Sequence, residues 1–501
     1  MMKNQIVRSL SLGVAVTTAA FGAKASDAPP KHKLPNFVFV LCDDLGYGDV
    51  QCLNPKHGKI ATPNADKLVS QGVVFTNAHS GSSVCTPTRY GLLTGRYSWR
   101  TQLQHGVVQG YAPCLIDEAR PTVASFLKDQ GYHTAIIGKW HLNFQYLDPK
   151  TGQFLKSSKK KSALPPVGTK IPDGPLTRGF DYYHGFHHAK DMKAVIENDT
   201  VIQHDDVINM LPRLTSKAVD YIDQRAKHRD QPFFLYVPLN APHTPIMPSP
   251  EWRGKSGLGD YGDFVMQTDA SIGAIMKALK RNNLSDNTVV ILSSDNGCSK
   301  AAGISNLREK GHWVSAQYRG SKADIWDGGH RVPFVVRWPG KIKPGSTTEQ
   351  LICLTDFFAT VSDIAGKPIH QPYAEDSVSF LPALLGKSIK SSRNGVVHHS
   401  ISGHFAYRQG DWKLLLARGS GGWTKPREKE SKEAPEAQLY NMHDDPSETK
   451  SLYKNKPEIA QNLLKELKND ISRGRSTDGA ESKNDTNNIK LWKSGRDKDG
   501  R

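Results

Sequence analysis

The sequence predicts an α/β fold: a large, mostly parallel sheet sandwiched by helices, with a smaller C-terminal domain of antiparallel sheet plus helix. Three observations carry this prediction. Short, wholly apolar runs such as Phe37-Val38-Phe39-Val40-Leu41-Cys42 read as strands buried on both faces. Most of these runs end in polar or charged residues and are separated by helical segments, the pattern of an open parallel sheet with its site outside the strands' carboxyl ends. Beyond residue 390 the texture changes to short strands with turns between, at 396–400, 405–408, 412–416 and 438–441.

Residues 1–25 read as a signal peptide. Lys3 and Arg8 form a basic start, 10–21 a short apolar region, and Ala23-Lys24-Ala25 a small-x-small cleavage site. That apolar run falls short of the roughly 20 residues a membrane-spanning helix needs. The large domain then covers 26–390, the smaller domain 391–477, and a polar tail, expected to be disordered apart from an anchor at Leu491-Trp492, covers 478–501. The chain is strongly basic, with Lys+Arg 66 against Asp+Glu 49. Such a balance suits an acidic partner. The basic residues are dispersed apart from 156–161, and no zinc-finger or aromatic-interleaved basic motif is present, so nucleic acid is disfavoured. Six scattered cysteines define no disulfide pattern.

Taken in order, the first strand ends in Asp43-Asp44, two carboxylates suited to a hard cation. Thr62-Pro63 opens a helix that stops near Gly72, and 73–75 forms the next strand. In the segment Cys85-Thr86-Pro87-Thr88-Arg89-Tyr90-Gly91-Leu92-Leu93-Thr94-Gly95, Pro87 suits a helix's first turn and Gly95 its end. Cys85 therefore falls at a helix N-terminus, where free N–H groups favour an anion, with Arg89 one turn on. A helix at 123–130 and a strand at 135–137 lead to Gly138-Lys139-Trp140-His141. An exposed insertion spans 149–173. Gly179-Phe180-Asp181 follows, then His187, His188 and Asp191, which could contact a sugar. The strand at 232–237 leads to His243 between prolines, and a helix covers 261–279. The strand at 288–292 ends in Asp295-Asn296, whose oxygens complete a cage with Asp43 and Asp44. Lys322 and Asp327 precede a further strand near 334–338. A helix at 354–365 closes the large domain, and one at 457–469 packs the small sheet through Ile459, Leu463, Leu464 and Leu467.

The run Cys85-x-Pro87-x-Arg89, with Leu92, Thr94 and Gly95, resembles the signature of the type I, formylglycine-dependent sulfatases of the alkaline phosphatase superfamily. Asp43-Asp44, Gly138-Lys139-Trp140-His141, Gly179-Phe180-Asp181, Pro242-His243-x-Pro245 and Asp295-Asn296 resemble further motifs of that family, and the likeness spans roughly 36–477. The family usually carries Glu where this chain has Asp327. Within the family, 80–100, 322–332 and Gly474-Arg475-Ser476-Thr477 resemble the N-acetylgalactosamine-6-sulfatase and arylsulfatase A-like group, in which Tyr111 matches a pocket tyrosine.

The resemblance implies an exported, periplasmic or secreted enzyme that removes a 6-O-sulfate from a galactose- or N-acetylgalactosamine-type sugar. A separate maturation enzyme would oxidise Cys85 to Cα-formylglycine, whose hydrate is the nucleophile. Asp43, Asp44, Cys85, Asp295 and Asn296 would hold Ca²⁺, and Arg89 would orient the hydrate. Lys139 and Lys322 would contact sulfate. His243 would protonate the leaving oxygen with help from Lys322, and His141 would act as base. Lys139, His243, Lys322, Tyr111 and Asp191 would line the substrate site, whose sugar preference resides in loops at 101–115, 149–192 and 399–425. Two other readings stand beside this one. A superfamily phosphatase or phosphodiesterase would use Ser or Thr, and an inactive sulfoglycan-binding protein would show no turnover.

Overall fold

The computed structural model describes Met1 and residues 34–156 and 164–493. The expected signal peptide, most of the lysine-rich stretch and the last eight residues of the tail lie outside the described residues. Among the described residues no helix is long and apolar enough to cross a membrane.

Four parallel strands form the centre of a ten-stranded sheet: Asn36–Asp43 (β1), His133–Lys139 (β2), Phe233–Pro242 (β3) and Thr288–Ser294 (β4). Their order is β4-β1-β3-β2. All but His133 are buried, so apolar side chains point to both faces. Val38 and Val40 join a core with the helices Pro63–Gln71, Met210–Arg225 and Asp260–Arg281. On the opposite face Phe39 meets Phe357, ring centroids 4.8 Å apart, in the helix Phe357–Ala365. The expected sandwich is therefore present.

Beyond β2 the sheet continues through the parallel strand Tyr182–Phe186 into an antiparallel hairpin, Ala194–Glu197 and Thr200–His204. This hairpin and the helix Met210–Arg225 were not anticipated from the sequence. The helix announces itself only by Met210, Leu214, Ala218 and Ile222, spaced by four residues on its buried face. On the other flank Phe334–Arg337 runs antiparallel to β4 and to Val73–Phe75.

The second sheet is an antiparallel meander of Val396–His399, Phe405–Gln409, Trp412–Leu415 and Gln438–Asn441. The helix Pro457–Ser472 packs on it, and Tyr97 and Trp99 of the large domain enter the same core. A buried network ties the two sheets. Lys413 of the meander donates to Asp327 (2.7 Å) and Glu448 (2.7 Å), and all three side chains are fully buried. Asp327 thus anchors the small sheet. Asn77 Oδ1 accepts from Arg331, so His79 must donate to it through Nε2. His79 Nδ1 therefore accepts from His330 Nδ1, while His330 Nε2 lies 3.1 Å from both Lys413 Nζ and the Ile325 carbonyl oxygen.

Residues 478–493 depart from the disorder expected of a polar tail. Arg96 and Arg100 are buried guanidiniums that need acceptors. Asp485 accepts two hydrogen bonds from Arg96 at 3.0 Å, and Asn484 accepts one from Arg100. The expected anchor is present: Leu491 and Trp492 pack on the core of the small sheet.

Candidate active site

The parallel register delivers the chemistry to one edge. Asp43 pairs with Pro242 and Cys42 with Ser294, so Asp43-Asp44, His243 and Asp295-Asn296 leave neighbouring strands together. Lys139 ends β2. Gly138 beside it has φ 144°, and a Cβ there would lie 1.9 Å from the Pro238 carbonyl oxygen, so only glycine lets β2 come this close to β3.

Cys85 opens the helix Cys85–Thr94, every residue of which is buried, and Gly95 ends it in the left-handed conformation at φ 66°. No side chain caps the first turn, so its N–H groups and the helix dipole are directed at whatever lies beside Cys85. Burial pushes the Cys85 thiol up, and Lys139 and Lys322 only partly oppose this. A thiol here stays protonated and is a poor nucleophile.

Three carboxylates and three cations interlock around this point. Asp43 accepts from Lys139 (2.7 Å), Asp44 from Lys322 (2.6 Å) and Asn296 (2.7 Å), and Asp295 from Arg89 (2.7 Å). All are buried. Burial works against the charge of Asp43, but Lys139, His243, Arg89 and Lys322 outweigh it and hold its carboxyl low. Burial and the neighbouring Asp43 push Asp295 up despite Arg89.

Three acceptors remain without a hydrogen-bond donor, though buried: Asp43 Oδ1, Asp44 Oδ2 and Asn296 Oδ1. Ligand atoms of Asp43, Cys85 and Asp295 lie within 4.8 Å of one another, as do those of Asp43, Asp44 and His243. Unsatisfied buried oxygens cost free energy, and a hard, oxygen-preferring cation would satisfy them. The donor set therefore fits calcium.

The two histidines differ. His243 Nδ1 donates to the Thr244 carbonyl (2.5 Å), which turns Nε2 towards Asp44 Oδ2 at 3.7 Å. Burial lowers its basicity while Asp43 and Asp44 raise it. His141 Nε2 donates to the Val108 carbonyl (3.1 Å), so Nδ1 holds a lone pair, buried without a partner. Burial and then Lys139 keep this ring neutral. Asp44 (φ 67°), Tyr111 (φ 64°), His141 (φ 55°) and Asn143 (φ 62°) all adopt left-handed backbone, a concentration of strain typical of functional sites.

A second cluster adjoins His141. The ring of His187 lies 6.1 Å and that of His188 5.7 Å from it. His188 Nε2 donates to the Gln109 carbonyl (2.6 Å) and lies 3.6 Å from Asp191 Oδ2. With Nε2 protonated and Nδ1 accepting from Lys190 N–H, His188 has no lone pair left for a metal. Burial raises the Asp191 carboxyl to about 6. Both His187 nitrogens and Asp191 Oδ2 are buried without hydrogen bonds. Tyr111 stacks obliquely on Tyr146, 4.9 Å between centroids, and Tyr146 feels the charge of Asp191. Tyr146 and Asn143, whose amide oxygen accepts from Gly110 N–H, escaped sequence reasoning, because neither belongs to a motif.

A family model described as Sulfatase matches residues 35–367. The chain belongs to the sulfatase family. It is accordingly a sulfuric ester hydrolase of the alkaline phosphatase superfamily. A second model, described as N-sulphoglucosamine sulphohydrolase, C-terminal, matches 321–477. The chain is 33% identical to the N-acetylgalactosamine-6-O-sulfatase of Bacteroides thetaiotaomicron, over 92% of this chain and 98% of that one. It is 31% identical to human N-acetylgalactosamine-6-sulfatase, over 73% and 68% of the two chains. Human steryl-sulfatase is also 31% identical, over 73% and 72%. A solved sulfatase from a glycosaminoglycan-metabolism locus of B. thetaiotaomicron superposes with TM-score 0.76 and 29% identity, covering 87% of this chain and 99% of that one.

Proposed function

We propose that this sulfatase is an exported enzyme that removes a 6-O-sulfate from a galactose- or N-acetylgalactosamine-type sugar of a sulfated glycan. The observation that carries the chemistry is the buried set of Asp43, Asp44, Asp295 and Asn296 around Cys85, with Lys139 and Lys322 bound into it. The sugar reading is supported by the second cluster. Asp191 and His187 hold unpaired polar atoms beside the catalytic edge, the way hydroxyl-rich ligands are recognised. Human steryl-sulfatase is as similar as human N-acetylgalactosamine-6-sulfatase, but the bacterial N-acetylgalactosamine-6-O-sulfatase is more similar than either and is matched over 92% of this chain, which also supports the sugar reading.

Calcium held by Asp43, Asp44, Asp295, Asn296 and residue 85 would polarise the sulfate. Formylglycine at residue 85, made by a maturation enzyme, would supply an aldehyde hydrate as nucleophile. The three carboxylates are matched by Arg89, Lys139 and Lys322, so a divalent cation leaves an excess of positive charge for the sulfate monoanion. Lys139 and Lys322 turn to the sulfate oxygens, and Arg89 keeps residue 85 oriented. His243 would act from its doubly protonated form, favoured by Asp43 and Asp44 against burial: Nδ1–H stays on the Thr244 carbonyl and the Nε2 proton passes to the leaving oxygen, with Lys322 assisting. His141, neutral with its lone pair at Nδ1, would serve as the general base at residue 85.

Two results are expected. Calcium added to chelator-stripped protein raises its thermal midpoint; at a hundredfold excess over Kd the gain is about 2.7 kcal/mol. Asp44→Asn abolishes that shift, and no shift in the unaltered protein would overturn the calcium assignment. Asp191→Asn is expected to raise KM for a 6-sulfated galactosamine about tenfold or more, while turnover of a small aryl sulfate stays unchanged. Equal loss on both substrates would assign Asp191 to structure instead of sugar recognition.

A further inference from the structure

The sheet carries a second charged feature at the end remote from Cys85. A groove of about 460 Å³ is lined by Lys67 of the helix Pro63–Gln71, by Lys277 and Lys280 of the helix Asp260–Arg281, and by Arg337. All three lysines are exposed. Arg337 is oriented by bonds to Gln71 Oε1 (3.0 Å) and the Ser285 carbonyl (3.3 Å). A second cleft of about 490 Å³, lined by Lys341 and Lys343, flanks the same Gln71–Gly72–Val73 turn. Four cations thus line the first cleft of this track and two the second, opposed in the lining by Asp286 alone. Half-buried Met276 also lines the first cleft and offers some apolar surface to the C–H face of a sugar ring.

This track is separate from the active site. Asp286 lies just before β4, and Asp295 just after it. Seven residues of strand at about 3.3 Å each put about 20 Å between them. No monosaccharide or disaccharide engages both places, whereas a long chain reaches each.

We propose that this groove is an exosite that holds long sulfated polysaccharide chains while their sulfated ends are processed at residue 85. The inference rests on the sulfated-glycan reading above. A row of exposed lysines matches repeated sulfates without requiring a particular sugar. An anchored chain presents its ends at raised local concentration.

The test uses the full mature chain and two probes. Dextran sulfate, whose glucose backbone is not the proposed substrate, reports the groove independently of sugar specificity. The triple variant Lys67→Ala/Lys277→Ala/Lys280→Ala is expected to bind it at least tenfold more weakly, with the salt slope of log K reduced by about 2–3. A control with the same charge change, Lys456→Ala/Lys465→Ala/Lys468→Ala on the C-terminal helix, is expected to retain binding. Equal weakening in both variants, or none in the first, overturns the exosite. With chondroitin 6-sulfate, the groove variant is expected to raise KM for the polymer, leave kcat unchanged, and leave the 6-sulfated disaccharide unaffected. If dextran sulfate binding is lost as expected but neither chondroitin probe is turned over, the exosite stands and the galactosamine reading fails.

Discussion

Cys85→Ala is expected to lower turnover of every sulfate ester by about four orders of magnitude or more, the scale of losing a nucleophile. The reason lies in the site as well as in the residue. The side chain at 85 is 3% exposed and sits between Lys139, Lys322, Asp43 and Asp295. Thr86 and Thr88 of the same first turn commit their hydroxyls to the His141, Ser82 and Val84 carbonyls. Burial pushes the thiol up, so unconverted protein should be as inactive as the alanine variant. Peptide mass spectrometry separates the two cases: conversion to the aldehyde makes the peptide about 18 Da lighter. Active protein carrying only the thiol would remove formylglycine from the mechanism and with it the role given to Arg89.

Lys413→Met is expected to destabilise the fold by about 3–5 kcal/mol, the cost of leaving buried charge unpaired. Lys413 is wholly buried between Asp327 and Glu448, and its loss leaves Glu448 without a cation and Asp327 dependent on Arg331. Burial already pushes Glu448 up to about 7, while Lys413 and Arg331 hold Asp327 low against burial. Equilibrium denaturation measures the loss. The triple variant Lys413→Met/Asp327→Asn/Glu448→Gln is expected to recover part of it, since neutral amides no longer need a cation. A cost below about 1 kcal/mol for the single variant would show that the junction between the sheets relaxes freely.

The central strands were legible in the sequence because each is buried on both faces and reads as an unbroken apolar run, as in 37–42 and 288–292. The helix after Cys85 was legible for a different reason: Pro87 and Gly95 mark its two ends by backbone chemistry alone. The hairpin at 194–204 was not. Its strands carry polar residues, half-buried Gln203 and exposed His204 among them, and the turn Asn198-Asp199 lacks the glycine that marks such pairings most strongly. The tail at 478–493 was misread because its order comes from Arg96 and Arg100, nearly four hundred residues earlier.

The catalytic constellation divides the same way. Motifs alone nominated Asp43, Asp44, Cys85, Arg89, Lys139, His141, His243, Asp295, Asn296 and Lys322, since residue type and flanking pattern are properties of the chain. Which nitrogen of His141 is committed to a backbone carbonyl, and which oxygens of the acidic set lack a donor, depended on atoms from other segments. Local sequence determines what a strand end carries; the register of parallel strands, set by burial on both faces, decides which ends meet. The exosite lysines lie at 67, 277, 280, 341 and 343, and only packing of two helices and a sheet edge gathers them into two clefts beside one turn. Charge placed on separate surface segments leaves no trace in a linear pattern, because solvated lysines have no local partner to specify.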